Sequence, residues 1–215
     1  MVYVLRSIMK QEVVKLWHKD SSLEGCDFIV LPGGFSFGDY LRSGAIARFS
    51  PIMNSVIDHA AKGGYVFGVC NGFQILCESG LVDGALLHNN TQKFTCKNVF
   101  IKPANNSNIV TSQLDLNRAY QIPIAHGEGR FFADEDTLKR IQDNEQILFQ
   151  YCDEKGMINE AANPNGTLLN IAGICNKNKN VFGMMPHPER AADAELGNVD
   201  GYEIFRSILE STVLA

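Results

Sequence analysis

Three short apolar runs divide the chain, and each ends in a loop rich in glycine or proline. They are Phe28–Leu31 before Pro32-Gly33-Gly34, Tyr65–Val69 before Cys70, and Val181–Met185 before Pro186-His187-Pro188-Glu189. Short continuous apolar runs between turn residues are typical of buried strands in a parallel sheet. Ligands of open α/β sheets bind beyond the carboxyl ends of the strands. The pattern therefore predicts that the three loops meet at one site.

Amphipathic segments between these runs predict helices. The first follows the N-cap Ser50 and is closed by Gly63, a residue suited to a left-handed helix end. The last begins at Asp200, with Glu203 three residues on as the partner in a capping box. The predicted helices span about 51–62, 72–78 and 200–209. The stretch 86–124 is more strand-like, and the turn at 163–166 is expected to join two antiparallel strands.

Composition narrows the class of protein. The 215 residues carry no repeat or low-complexity linker, which predicts one domain over 1–215. The net charge is -5 without a basic run, so nucleic acid is excluded as a main partner. No apolar stretch approaches the roughly 20 residues of a membrane helix, and the start does not resemble a signal peptide. Six cysteines without a C-x-x-C pair predict neither a metal site nor a disulfide framework, and we expect a cytoplasmic location.

The segment 68–72 has the form G-x-C-x-G, with Cys70 at its centre. This is the cysteine counterpart of the nucleophile elbow, a sharp strand-to-helix turn that exposes a reactive atom. A side chain in place of Gly68 or Gly72 would crowd such a turn. A helix N-terminus favours thiolate over thiol, so Cys70 is predicted to be an activated nucleophile. A buried, inert cysteine is the alternative for this motif alone.

A base and an oxyanion site are also needed for attack on an amide. His187 lies between two prolines, and Glu189 is placed to fix the tautomer of its imidazole. The backbone N–H groups of Gly34 and Asn71 are predicted to form the oxyanion hole. Each motif has an ordinary alternative when taken alone: a solvated loop histidine for the first and a plain turn for the second.

Together these motifs resemble the class I glutamine amidotransferases, which carry Gly-Gly after a strand, G-x-C-x-G-x-Q and a late His-Pro-Glu. Longer stretches are similar to the glutaminase subunits of phosphoribosylformylglycinamidine synthases, and the resemblance covers nearly the whole chain. These stretches are residues 32–42, 68–74, 125–129 and 183–190. The resemblance implies a flavodoxin-like α/β fold. Its central sheet is expected to be mostly parallel, with helices on both faces and an added antiparallel portion.

The resemblance also implies a reaction. Glutamine is expected to be hydrolysed through a cysteine thioester, with Cys70 as nucleophile, His187 as general base and acid, and Glu189 as orienting carboxylate. The ammonia is expected to pass to a synthetase subunit that converts formylglycinamide ribonucleotide in purine synthesis. ATP and magnesium are expected on that partner and no cofactor in this chain. A small bridging subunit is expected in the assembly.

Four residues are predicted to bind the substrate through the same resemblance. Gly33 and Gln74 are expected to hold glutamine, as are His126 and Glu128 in the 125–129 stretch. For the last two, a packing or interface role is the alternative.

The N-terminus departs from the family pattern. Family members open with a strand that precedes the first helix, whereas here the first strand-like run is Val13–Trp17. Either the start is internal to a longer reading frame or the chain is a truncated homologue. We expect Val13–Trp17 to pair directly with Phe28–Leu31, or else Val2–Ile8 to form a strand between them. Two functional alternatives remain: a related α/β cysteine hydrolase, although those carry a histidine where this chain has Asn71, and an inactive interaction subunit.

Overall fold

A seven-stranded mixed sheet forms the centre of the protein in a computed structural model that describes residues 1–213. A separate antiparallel pair joins β3 to β6. The strands are β1 Phe28–Leu31, β2 Tyr65–Val69, β3 Ala85–Leu87, β4 Thr95–Pro103, β5 Tyr120–His126, β6 Arg130–Phe132, β7 Ile147–Cys152, β8 Ile171–Cys175 and β9 Val181–Met184. The large sheet has the order β1-β2-β9-β8-β7-β4-β5, which places the three predicted strands side by side.

Four α-helices pack with these strands. They are α1 Pro51–Ala61, α2 Asn71–Glu78, α3 Glu135–Asp143 and α4 Asp200–Val213. Three of them were predicted, and Gly63 and Gly80 have the left-handed φ expected after α1 and α2. The predicted capping box of α4 is not formed, because Glu203 pairs with Arg206 and the Asp200 carboxylate binds β5 instead. No helix within residues 1–213 is long and apolar enough to cross a membrane.

The sheet is less parallel than predicted. Only β1–β2 and β2–β9 are parallel pairs, while the four pairings from β9 to β5 are antiparallel. The central strands β2 and β9 are buried almost throughout, which accounts for their continuous apolar sequence. The difference arises at β1, where neither of the pairings expected for the N-terminal segment occurs.

Both predicted arrangements of the N-terminal segment are wrong. Val4–Ile8 form a helical turn, closed by a 2.8 Å hydrogen bond from Met9 N to Val4 O, that buries Val4 and Met9 in the core. Residues 9–27, including the run Val13–Trp17, form no strand, and Val14 and Trp17 are exposed. The outer edge of β1 therefore has no strand partner among residues 1–213.

The opposite edge of the sheet, β5, is covered by the chain that follows β9. Gln121 donates its N–H to Asp200 Oδ2 at 2.7 Å and accepts a bond from Asn198 Nδ2 at 2.8 Å. Two residues on, the Pro123 carbonyl accepts the N–H of His187 at 2.8 Å. Pro123 lacks an N–H, and proline is tolerated at such an edge because no ladder bond is lost there. The outer edge of β5 thus fixes the position of residues 187–200 through these hydrogen bonds.

This arrangement predicts a stability effect at Asp200, which also pairs with Arg118. Asp200→Ala leaves the Gln121 N–H without its partner, and we expect it to lower the free energy of unfolding by about 1–3 kcal/mol. Urea denaturation measures the change. Asp58→Ala, at an exposed position of α1, is the control and should stay within about 0.5 kcal/mol. Equal losses for the two variants would contradict the assigned role of the β5 edge.

Candidate active site

Cys70 lies at the junction of β2 and α2 with a strained backbone, φ 51° and ψ -107°. The flanking glycines permit this turn because other groups approach them closely. A Cβ at Gly72 would lie 2.0 Å from Leu31 O, and one at Gly68 would lie 2.6 Å from Leu76 Cδ1. The geometry is that of the predicted nucleophile elbow.

The Cys70 sulfur is buried, with 5% of the residue exposed. Its Sγ donates a weak hydrogen bond to the Ala125 carbonyl at 3.7 Å. Burial raises the pKa of the Cys70 thiol to about 12, and the Asn71 N–H only partly opposes this. Burial of Cys70 therefore opposes the thiolate that its place at the helix N-terminus was predicted to favour. Deprotonation must be coupled to a base.

His187 is that candidate base. Its Nδ1 lies 2.7 Å from Glu189 Oε1, whereas its Nε2 is buried without a partner among the described residues. Burial raises the pKa of Glu189, but the hydrogen bond and charge of His187 outweigh it, and the pKa lies below its ordinary value. An ionised Glu189 accepts a hydrogen bond from the Nδ1–H group of His187. This leaves a lone pair on Nε2 when the imidazole is neutral.

Gly33 brings the three predicted loops together. A Cβ at Gly33 would lie 2.7 Å from His187 Cε1 and 3.5 Å from Cys70 Cβ, so the glycine occupies the space between base and nucleophile. Gly34 follows, and its N–H donates no hydrogen bond to the described residues. The Asn71 N–H lies close enough to the sulfur to lower its pKa. The Asn71 N–H is therefore at the nucleophile, and Gly34 directly follows the glycine that packs against it; oxyanion binding by these two groups stays a prediction.

Both polar atoms of the Gln74 side-chain amide form hydrogen bonds within the protein. Its Nε2 donates to Glu128 O at 2.6 Å, and its Oε1 accepts from Asn71 Nδ2 at 2.9 Å. The Asn71 Oδ1 in turn accepts the Ser36 N–H at 3.2 Å. The side chain predicted to hold substrate thus links the elbow to the loop after β5.

Glu128 ties two loops together. Its Oε2 accepts the Ser43 N–H at 3.0 Å, and its Oε1 lies 3.3 Å from His88 Nε2. Burial raises the pKa of nearby Asp39, and the Glu128 charge adds to the effect. These contacts fit the packing role that the sequence left open for Glu128.

His126 is buried beside the candidate base. Its Nδ1 lies 3.1 Å from Asn89 Oδ1, and its Nε2 has no partner among the described residues. Burial, followed by repulsion from His187, lowers the pKa of His126 to about 4.

Two further residues were not predicted. Asn89 carries no recognisable motif. Tyr151 lies within an apolar strand, where its unpartnered hydroxyl and its closeness to Cys70 leave no sequence signal.

Comparisons with known proteins show the family of this chain. Residues 4–203 match the family described as the CobB/CobQ-like glutamine amidotransferase domain. The phosphoribosylformylglycinamidine synthase subunit PurQ of Chlorobium chlorochromatii is 53% identical and aligns over 97% of this chain and 89% of its own length. The same subunit of Moorella thermoacetica is 52% identical over 97% and 88%. The chain belongs to the PurQ family.

Solved structures support the PurQ assignment. A chain in the structure of PurLQS from Thermotoga maritima is 40% identical, with a TM-score of 0.78 over 90% of this chain and 83% of that one. A glutamine amidotransferase from Thermotoga maritima is 15% identical, with a TM-score of 0.54 over 97% and 85%, and shows the shared fold alone. Membership of the PurQ family disfavours the alternative of a related α/β cysteine hydrolase.

The raised pKa predicts how the Cys70 thiol reacts. A thiol with a pKa of about 12 is protonated at neutral pH, so its iodoacetamide alkylation should rise about tenfold per pH unit between pH 7 and 9. Peptide mapping by mass spectrometry measures the rate in the free chain. The exposed Cys96 is the control and should be modified first at pH 7. A rate for Cys70 that levels off below pH 8 would show a lowered pKa instead.

Proposed function

We propose that this chain hydrolyses L-glutamine and delivers the ammonia to the synthetase subunit of a phosphoribosylformylglycinamidine synthase. The observation that carries the proposal is the packing of Gly33 against both Cys70 and His187. It unites a nucleophile, a base and an oxyanion turn in a chain of the PurQ family. An inactive interaction subunit has no need of this arrangement.

The first step of the reaction forms a tetrahedral intermediate, which becomes a thioester when ammonia leaves. The Cys70 sulfur attacks the carboxamide carbon while His187 Nε2 takes the thiol proton. The two events occur together because the thiol is too weak an acid to ionise beforehand. Glu189 stabilises the resulting imidazolium through the 2.7 Å contact with Nδ1. The N–H groups of Gly34 and Asn71 stabilise the oxyanion.

The second half releases the products. The imidazolium of His187 gives its proton to the amide nitrogen, the C–N bond breaks, and ammonia leaves. His187 then removes a proton from water as the water oxygen attacks the thioester carbon. The C–S bond breaks, the Cys70 sulfur recovers a proton, and glutamate is released.

The partner is proposed from the relatives. The PurQ relatives are named as subunits of phosphoribosylformylglycinamidine synthase, and one solved relative belongs to a PurLQS structure. By this proposal the synthetase holds ATP, magnesium and formylglycinamide ribonucleotide, a small bridging subunit completes the assembly, and the enzyme works in the cytoplasm. The six free cysteines of this chain are compatible with a reducing compartment.

A mutation of Cys70 should separate glutamine hydrolysis by this chain from the ammonia-consuming reaction of the synthetase. Cys70→Ser should lower glutamine-dependent synthesis by the assembled enzyme by at least about a thousandfold, because the hydroxyl is a far poorer nucleophile. Synthesis from added ammonium should remain. Cys96→Ser, at an exposed cysteine, is the matched control and should change neither activity. Loss of the ammonium-dependent reaction in a correctly assembled Cys70→Ser complex would refute the division of labour.

The apolar loop, residues 35–49, is the proposed contact with the synthetase. It begins directly after Gly34 and exposes several large apolar side chains: Phe35 65%, Tyr40 76%, Leu41 89% and Phe49 75%. Clusters of this kind mark protein–protein contacts. The loop is bonded to the site through Ser36 N and Ser43 N. A partner seated on the loop can therefore act on the oxyanion turn, which explains how docking would stimulate hydrolysis.

Shortening single side chains of the apolar loop should weaken binding of this chain to the synthetase. Tyr40→Ala and Leu41→Ala are each expected to raise the Kd for the synthetase about tenfold or more, as for buried anchors of other interfaces. Glutamine hydrolysis should fall at low synthetase concentration and recover at high concentration. Met157→Ala removes an apolar residue that is 63% exposed outside the loop, and it should leave the Kd unchanged. Titration calorimetry measures all three, and equal Kd values would argue against this surface.

A further inference from the structure

The amide of Asn89 has one fixed orientation in the interior. Its Nδ2 donates to the backbone carbonyls of Lys93 and His126, both at 2.9 Å. Its Oδ1 accepts the Gly129 N–H at 3.3 Å. Backbone carbonyls only accept and backbone N–H groups only donate, so these partners distinguish the nitrogen of the amide from its oxygen.

The fixed amide determines the tautomer of His126. The Asn89 oxygen lies 3.1 Å from Nδ1, which must therefore carry the proton. Burial and His187 keep the ring neutral, with a pKa lowered to about 4. Nε2 is then a pure hydrogen-bond acceptor. It is buried and has no partner among the described residues, an arrangement that a ligand donor would satisfy.

The residue next to His126 contacts the nucleophile. His126 ends β5, and the carbonyl of the preceding Ala125 receives the Cys70 thiol. The ring shares a face of the sheet with Tyr151, whose pKa is raised by burial and which lies close enough to Cys70 for the two groups to interact electrostatically. A Cβ at Gly129 would lie 2.4 Å from the ring, so the backbone closes its other side.

We propose that His126 Nε2 accepts a hydrogen bond from the carboxamide N–H of bound glutamine and thereby discriminates glutamine from glutamate. The inference rests on the proposed function. The two molecules differ only where one has N–H donors and the other a carboxylate, which offers lone pairs alone. An acceptor-only nitrogen binds the first and repels the second. His126 is thus a specificity residue that also favours release of the product.

Kinetics of the assembled enzyme test the discrimination. The quantity measured is the ratio of the glutamate inhibition constant to the glutamine KM. His126→Leu removes the acceptor and should lower this ratio about tenfold or more. His126→Gln can supply an amide oxygen at the same reach and should retain most of the ratio. Ammonium-dependent synthesis reports on assembly and should persist in both. An unchanged ratio in His126→Leu, or equal rises in the two constants, would overturn the proposal.

A second measurement does not depend on activity. In the Cys70→Ala chain with ¹⁵N-labelled histidine, NMR should find His126 with its proton on Nδ1. The unprotonated Nε2 resonance should move upfield when glutamine is added and stay in place when glutamate is added. A proton on Nε2 in the free chain, or the same shift with both ligands, would refute the inference. Absence of glutaminase activity in the wild-type complex would instead count against the proposed function.

Discussion

The outer edge of β5, which bonds to the segment after β9 and not to another strand, is the constraint on which the site depends. Consecutive outward carbonyls of this strand hold the two reacting groups: Pro123 binds the His187 backbone at 2.8 Å, and Ala125 contacts the Cys70 sulfur at 3.7 Å. Carbonyls two residues apart in a strand are roughly 7 Å apart. Strand geometry therefore sets the spacing between the backbone of His187 and the sulfur of Cys70.

The burial of Cys70 and His187 determines the electrostatics of the site. Burial favours the protonated form of the Cys70 thiol, and the unpartnered nitrogen of His187 is the candidate group to receive its proton. A thiol in this state is a weak nucleophile toward adventitious electrophiles. In the proposed mechanism, reaction begins only when a substrate carbonyl, the base and the oxyanion donors are in place together.

The sequence predicted the parts of the site that depend on local geometry. The glycines around Cys70, the His-Pro-Glu segment and the three adjacent strand ends all follow from turn chemistry and apolar runs. The pKa of Cys70 could not be predicted, because it depends on burial by residues distant in the chain. The role of Asn89 also escaped prediction, since its partners at 93, 126 and 129 are brought together by tertiary structure. At the N-terminus, burial of Val4 and Met9 in a helical turn prevailed over the strand propensity of the segment.

The two edge strands of the sheet, β5 and β1, support different parts of the site. The nucleophile and base follow the central strands β2 and β9 and are also fastened to β5. The predicted oxyanion turn at Gly34 instead follows β1, a four-residue strand that pairs on one side only among residues 1–213. Local opening costs least where contacts are fewest, so the turn is the part of the site that binding energy can most easily reposition. A synthetase docked on the apolar loop, as proposed, would therefore act more on this turn than on Cys70 and His187, which follow β2 and β9.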